Sequence, residues 1–224
     1  MKRVALFIAI VLGLSACAGV SRNIVPTSLE DEVSVAGMRG STIRYWGDEI
    51  PPDADALVRK RWAQVRGSQR QRVTYLAISA GGSEGAFGAG LLNGWTARGD
   101  RPKFDLVTGV STGALTAPFA FLGPKYDPAL KHVFTTSHTN DIAIVQPVRG
   151  LLGGASLASN APLAKLIAHY VNEEFLREVA AEHRKGRRLF VGTTNLDAQR
   201  AVVWNMGEIA SSGSPNAVDL FRKI

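Results

Sequence analysis

One cysteine, Cys17, stands in 224 residues. That excludes an intrachain disulfide framework. The ligand spacings of zinc and iron–sulfur sites are absent too, so no metal is expected. A Walker loop needs G-K-[ST], which the chain lacks. A membrane-spanning helix needs roughly 20 apolar residues; the apolar run at residues 4–14 has 11. Acidic residues are in deficit, 19 against 26 basic, for a net charge of +7. That excess suits contact with anionic lipid headgroups or another polyanion. Basic clusters at residues 59–61, 70–72 and 184–188 have no nucleic-acid motif beside them. Each reads as solvated surface, and no nucleic-acid partner is expected. The rest of the composition, 46% hydrophobic and 20% charged, is that of a globular protein with room for one α/β domain and a tail.

Residues 1–17 read as a targeting segment outside the fold. Lys2 and Arg3 form a charged start, and residues 4–14 an apolar stretch of signal length. Leu14-Ser15-Ala16-Cys17 resembles the bacterial lipobox, in which the cysteine is lipid-modified and becomes the new N-terminus. An ordinary signal peptide ending in small residues is the competing reading. Ala18 is not the aspartate that retains such lipoproteins at the inner membrane. The expectation is therefore a lipid-anchored envelope protein at the bacterial membrane, on the periplasmic side of the outer membrane. Residues 18–72 read as a tether with one short ordered piece near residues 43–46, then a basic helix at about 53–66 started by Asp53.

The domain is expected to occupy residues 73–224. Residues 73–78 form an apolar run, as in a strand buried on both faces. Residues 104–108 form a second, which breaks at Gly109-Val110-Ser111-Thr112-Gly113 before a helix-like run containing Pro118. Strand, G-x-S-x-G, helix is the context of a nucleophile elbow. The turn is so sharp that residues two before and two after the serine nearly collide, and glycine removes both Cβ atoms. Ser111 then sits at a helix N-terminus, where free N–H groups favour negative charge. A small residue in a tight turn is the plain alternative. Residues 154–158 (GASLA) nearly repeat the pattern, but no strand precedes Ser156, and the segment reads as loop.

The glycine-rich stretch at residues 79–85 (SAGGSEG) has three readings. Ala80 breaks the dinucleotide fingerprint, and the Walker lysine is missing. An oxyanion hole remains: consecutive glycines turn backbone N–H groups inward at a carbonyl oxygen. Two strand-to-helix turns of one parallel sheet open on the same edge, so Gly81 and Gly82 can face Ser111. The helix at 86–98 carries Gly88 and Gly90, expected to let it approach the sheet. Residues 126–154 read as a polar loop, a possible cover. Helices are expected at 160–170, at about 172–185 with Asn172 as cap, and at 215–224. Strands are expected at 188–194 and 200–205, with Asp197 in the turn between them.

These motifs together resemble the patatin-like phospholipases over residues 73–224. That family carries G-G-G-x-[RK]-G, then G-x-S-x-G, then an aspartate in Asp-Gly-Gly or Asp-Gly-Ala. The resemblance implies an α/β fold, a three-layer sandwich around a mostly parallel sheet. It also implies a serine lipid acyl hydrolase acting on lipid or phospholipid with a Ser–Asp dyad and no cofactor. Ser111 would be the nucleophile, Gly109 and Gly113 the elbow glycines, and Gly81, Gly82 and the Thr112 N–H the oxyanion hole. Glu84 stands where the family has a basic residue, a charge reversal that implies a different headgroup preference. No Asp-Gly dipeptide occurs. The expectation is a domain incomplete at its C-terminus, with little turnover of its own. Asp197 is the one in-chain substitute considered, and a turn residue is the competing reading. His132, His138, His169 and His183 offer a triad base only in principle. The alternative function is a non-catalytic lipoprotein module that binds lipid or protein.

Overall fold

The computed structural model describes residues 24–30, 34–35, 37–38, 43–50, 54–56, 59, 63, 73–136, 144–145, 158–159 and 161–224. Cys17, Asp53, His138, Ser156 and most of the expected basic helix lie outside the described residues.

A mixed five-stranded sheet carries the molecule. Its strands are β1 (Arg44–Trp46), β2 (Tyr75–Ile78), β3 (Leu106–Val110), β6 (Arg188–Asn195) and β7 (Arg200–Asn205), in the order β1-β7-β6-β3-β2. Its core is parallel: Tyr75 pairs with Leu106, and Leu106 with Arg188. β7 returns antiparallel on β6, and β1 lies antiparallel on β7. The expected α/β fold with a mostly parallel core is therefore present. The ordered piece foreseen near residues 43–46 is a sheet strand. A separate two-stranded ribbon joins β4 (Ile144–Val145) to β5 (Ala158–Ser159).

Besides helical residues at 54–56, 59 and 63, where the basic helix was expected, seven helices connect or follow the strands among the described residues: α1 (Gly85–Arg98), α2 (Thr112–Leu122), α3 (Asp127–Thr136), α4 (Ala161–Tyr170), α5 (Glu173–Arg184), α6 (Met206–Ser211) and α7 (Ala217–Lys223). Helices α2, α5 and α6 pack on β6, and α2 also packs on β3. Val107, Leu189 and Val191 point into this interface with Phe121, Phe175 and Ile209, all buried. Each such side chain contributes about 1.5–3 kcal/mol through removal from water. Asn172 caps α5 as expected, its Oδ1 accepting from Phe175 N at 3.0 Å.

Several expectations fail for identifiable reasons. β2 is an edge strand, and Tyr75 is 67% exposed rather than buried on both faces. The stretch after Tyr126 is not all loop, because α3 occupies residues 127–136. Pro128 lies in its first turn, where proline costs no hydrogen bond, while Leu130 and Val133 are buried against the core. Pro118 lies inside α2, which runs on to Leu122. Gly88 and Gly90 do not serve a close approach, since a Cβ on either would meet nothing within 4 Å.

Candidate functional site

Between the end of β3 at Val110 and the start of α2 at Thr112 there is one residue, Ser111. Its φ of 56° and ψ of −123° lie where side-chain-bearing residues are rarely found. Holding a non-glycine residue there costs about 1–3 kcal/mol and needs a surround that fixes it. The two glycines provide that surround. A Cβ on Gly109 would stand 2.2 Å from the Gly113 carbonyl oxygen. A Cβ on Gly113 would stand 2.2 Å from the Ile78 oxygen and 2.8 Å from the Ser79 oxygen. Only half of this is the collision foreseen within the pentapeptide. Gly109 clears the turn itself, whereas Gly113 clears the end of the neighbouring strand β2. Ser111 is exposed, at the N-terminus of an 11-residue helix whose free N–H groups favour negative charge.

β2 ends beside the elbow, and the glycine loop follows it. Gly81 leads into a 3₁₀ turn, Gly82–Glu84, and α1 starts directly after. Gly82 has φ +54°, and a Cβ there would meet nothing within 4 Å, so its need for glycine is conformational rather than steric. Gly85 is the residue of closest approach. Its Cβ would lie 2.8 Å from both the Thr112 Cβ and the Phe134 ring. The glycine loop and the elbow are therefore in contact at the carboxyl edge of the parallel strands, where open α/β sheets bind ligands.

A cleft of about 310 Å³ opens at this junction. Ile78, Gly81, Glu84, Gly85, Phe87 and Thr112 are among its walls; Ser111 is not, although it adjoins Thr112. The Thr112 hydroxyl is buried there with no hydrogen-bond partner among the described residues. Glu84 and Gly85 belong to the glycine-rich run already read as facing Ser111, whereas Phe87 and Phe134 were not singled out from the sequence. Gly85 had a signal, as the last glycine of its run. Phe134 had none, because α3 was read as loop.

The other candidate residues lie elsewhere. Asp197 is exposed in the β6–β7 turn, where Asn195 Oδ1 accepts from its N–H at 3.0 Å. Val110 is level with Gly192, and β6 runs three residues further, to Asn195. At about 3.3 Å per residue the turn begins about 10 Å beyond the level of Val110. That spacing fits a turn residue. His183 is buried at the amino end of β6, its Nε2 3.1 Å from Glu208 Oε1. His132 Nδ1 lies 2.8 Å from the Tyr170 hydroxyl, and the His169 ring contacts the Tyr170 ring. Among the described residues no group of three or more His, Cys, Asp or Glu could hold a metal ion. No helix among them is long and apolar enough to cross a membrane.

A family model described as patatin-like phospholipase matches residues 76–218. That span holds β2 from its second residue, the glycine loop, the elbow, helices α1 to α6 and the first two residues of α7. No curated protein and no solved structure matches the chain.

Proposed function

Because the chain belongs to the patatin-like phospholipase family, which makes it a lipid acyl hydrolase in general, we propose that Ser111 is its nucleophile and that Cys17 anchors it to a bacterial membrane. The observation that carries the first part is the strained conformation of Ser111, with φ 56°, held by glycines on both sides, while the glycine loop packs through Gly85 on the next residue, Thr112. Strain of this kind at an exposed serine, between a strand end and a helix N-terminus and next to a glycine loop, is the setting of a nucleophile elbow.

In this reading an aspartate takes the Ser111 proton, and the alkoxide attacks the carbonyl carbon of a lipid ester. The oxyanion is held by the N–H groups of Gly81, Gly82 and Thr112. Collapse of the tetrahedral intermediate expels the alcohol, which takes up the proton. Water, deprotonated by the same aspartate, then releases the fatty acid and restores the serine. Asp197 is not the aspartate favoured here, for the register reason given above. Asp197→Asn should leave substantial activity.

The test, in a chain that also carries an Asp-Gly-Gly or Asp-Gly-Ala segment, which these 224 residues lack, is labelling with a fluorophosphonate, with the adduct mapped by mass spectrometry beside assays of short-chain ester and phospholipid hydrolysis. An adduct on Ser111, lost in Ser111→Ala together with hydrolysis, is the expected result. Hydrolysis that survives in Ser111→Ala, or an adduct on Ser156 instead, overturns it. A chain that binds vesicles yet takes no adduct would be the non-catalytic lipid-binding module.

The anchor rests on the Leu14-Ser15-Ala16-Cys17 sequence behind an 11-residue apolar run. Two or more acyl chains, at about 0.8 kcal/mol per buried methylene, hold a protein on a bilayer stably. Cys17→Ser should release the protein from the membrane fraction and block precursor processing. Retention and processing that are both unchanged would exclude lipidation at this cysteine.

A further inference from the structure

Glu84 is the one charged residue in the wall of the cleft beside Ser111, among the described residues. The other walls are small, apolar or hydroxyl-bearing, so the charge of the cleft is set by this carboxylate. Its structural uses are accounted for and are few. It is the residue before α1, yet its side chain makes no capping hydrogen bond. Among the described residues no cation pairs with it. Three residues on stands Phe87, also a cleft wall, with its ring 74% exposed. Residues three apart at a helix start lie on one face, so carboxylate and ring border the same opening.

A carboxylate beside an open aromatic face is the chemistry that receives an ammonium group. The carboxylate supplies the opposite charge, and the ring quadrupole attracts a cation that sheds part of its water. A neutral group at the same place gains neither attraction, and an anionic one is repelled by the carboxylate. From this juxtaposition we infer that Glu84 and Phe87 form a subsite for an ammonium group on the alcohol side of the ester. The substrates preferred are then ammonium-bearing esters, with anionic ones disfavoured. This rests on the acyl hydrolase reading of Ser111 and adds the charge class of its substrate. It also separates the local charge of the cleft from that of the chain, which is +7 overall. A basic surface can draw the protein to an anionic membrane while the cleft selects a different lipid from it.

The test compares butyrylcholine with its uncharged carbon isostere, 3,3-dimethylbutyl butyrate. The two esters share shape and acyl chain, so their kcat/KM ratio reads the ammonium charge alone. A ratio of about three- to tenfold in favour of butyrylcholine is expected, the range of one exposed ion pair with an exposed cation–π contact. The ratio should fall towards one in Glu84→Gln, fall in part in Phe87→Leu, and invert in Glu84→Lys. It should shrink as salt is added. In Ser111→Ala, which cannot turn over, amide shifts of residues 79–88 should report tighter binding of butyrylcholine than of the isostere. Vesicles of phosphatidylcholine against phosphatidylglycerol then decide whether a membrane lipid presents the ammonium. Preference for phosphatidylcholine places it on a phospholipid headgroup, and preference confined to the dispersed ester places it on a smaller molecule. Hydrolysis of both esters at a ratio near one that ignores Glu84, or equal binding of both in Ser111→Ala, overturns the subsite and leaves the hydrolase standing. A chain that hydrolyses neither ester and takes no fluorophosphonate fails the hydrolase reading itself, and the subsite with it.

Discussion

The two ends of the parallel strands are built from different materials. At the carboxyl end, where β2 and β3 open, the residues are glycine, serine and threonine. Backbone approaches backbone so closely that a single Cβ on Gly109 or Gly113 would stand 2.2 Å from a carbonyl carbon's oxygen. At the amino end the same strands are held by long charged side chains. Arg187 is buried, donating from Nε to the Phe104 carbonyl and from Nη2 to the Phe121 carbonyl, both at 2.6 Å. It also donates from Nη1 to Glu182, while its guanidinium covers the Phe121 ring at 4.3 Å. Arg101, also buried, joins α1, α2 and α3 through Thr96, the Ala120 carbonyl and Asp127. Asp105 Oδ2 accepts from Thr74 N and from its hydroxyl. The difference teaches where strain can be afforded. The amino end ties β2, β3, β6 and α2 together with directed bonds, and the carboxyl end keeps Ser111 in a conformation that only such a frame sustains.

The sharpest way to break this comparison is to remove the amino-end tie. Arg187→Ala takes this donor from two buried carbonyls and one of three cations from Glu182, which keeps Lys103 and Lys185. Breaking a buried pair from one side costs about 3–5 kcal/mol, a large part of the stability of a domain this size. Urea unfolding should show the loss, while fluorophosphonate labelling of Ser111 per folded molecule stays at the wild-type rate. Labelling lost in step with folding at subdenaturing urea would mean that the two ends are one unit.

Glu182 sharpens the same point through pH. Burial pushes its carboxyl up, but hydrogen bonds from Lys103, Lys185 and Arg187 outweigh that and hold the pKa at about 2, below the ordinary 4.5. A carboxylate whose pKa is depressed by folding contributes its full stability above the unfolded value, near 4.5. That contribution is lost as pH falls from there through about 2. Wild type should therefore lose thermal stability over this window. Glu182→Gln should start lower at pH 7 and converge on wild type as the window is crossed. Parallel curves for the two proteins would show that Glu182 contributes nothing through its charge.

The carboxyl end was the more legible of the two from sequence. G-x-S-x-G is written in steric terms, and the steric terms are local: Gly109, Ser111 and Gly113 say where a chain must turn and what must be absent. The second steric partner of Gly113 was not legible, because it lies on β2, brought there by sheet pairing. The amino end was barely legible at all. Arg187 read as one of a basic surface cluster, since nothing in residues 184–188 says that Arg187 alone is buried under Phe121 while Arg184 is exposed. The exposure of β2 was hidden for a related reason: an apolar run records burial of some of its faces and not the position of its strand in the sheet. Helix α3 was read as part of a polar loop, although its Pro128 stands in a first turn, where proline is compatible with a helix.

The smallest expected effect on stability is the one that separates the two ends most cleanly. Gly82 lies at the carboxyl end with φ +54°, and Gly99 closes α1 at the amino end with φ +89°. A Cβ on either would meet nothing within 4 Å. Alanine at each place therefore brings no clash, only the cost of a side chain in left-handed backbone, about 1–2 kcal/mol. The two substitutions are matched in what they do to the chain and differ in where they do it. Both should lower the unfolding midpoint by a similar small amount. Only Gly82→Ala should slow fluorophosphonate labelling, because relaxation of the strained turn swings the proposed oxyanion donors away from Ser111. One donor is worth about 3 kcal/mol at such a site, so a slowing of up to about a hundredfold is the expected ceiling. Equal slowing in Gly99→Ala would mean that labelling follows stability rather than the placement of the glycine loop, and the proposed oxyanion hole would go with it.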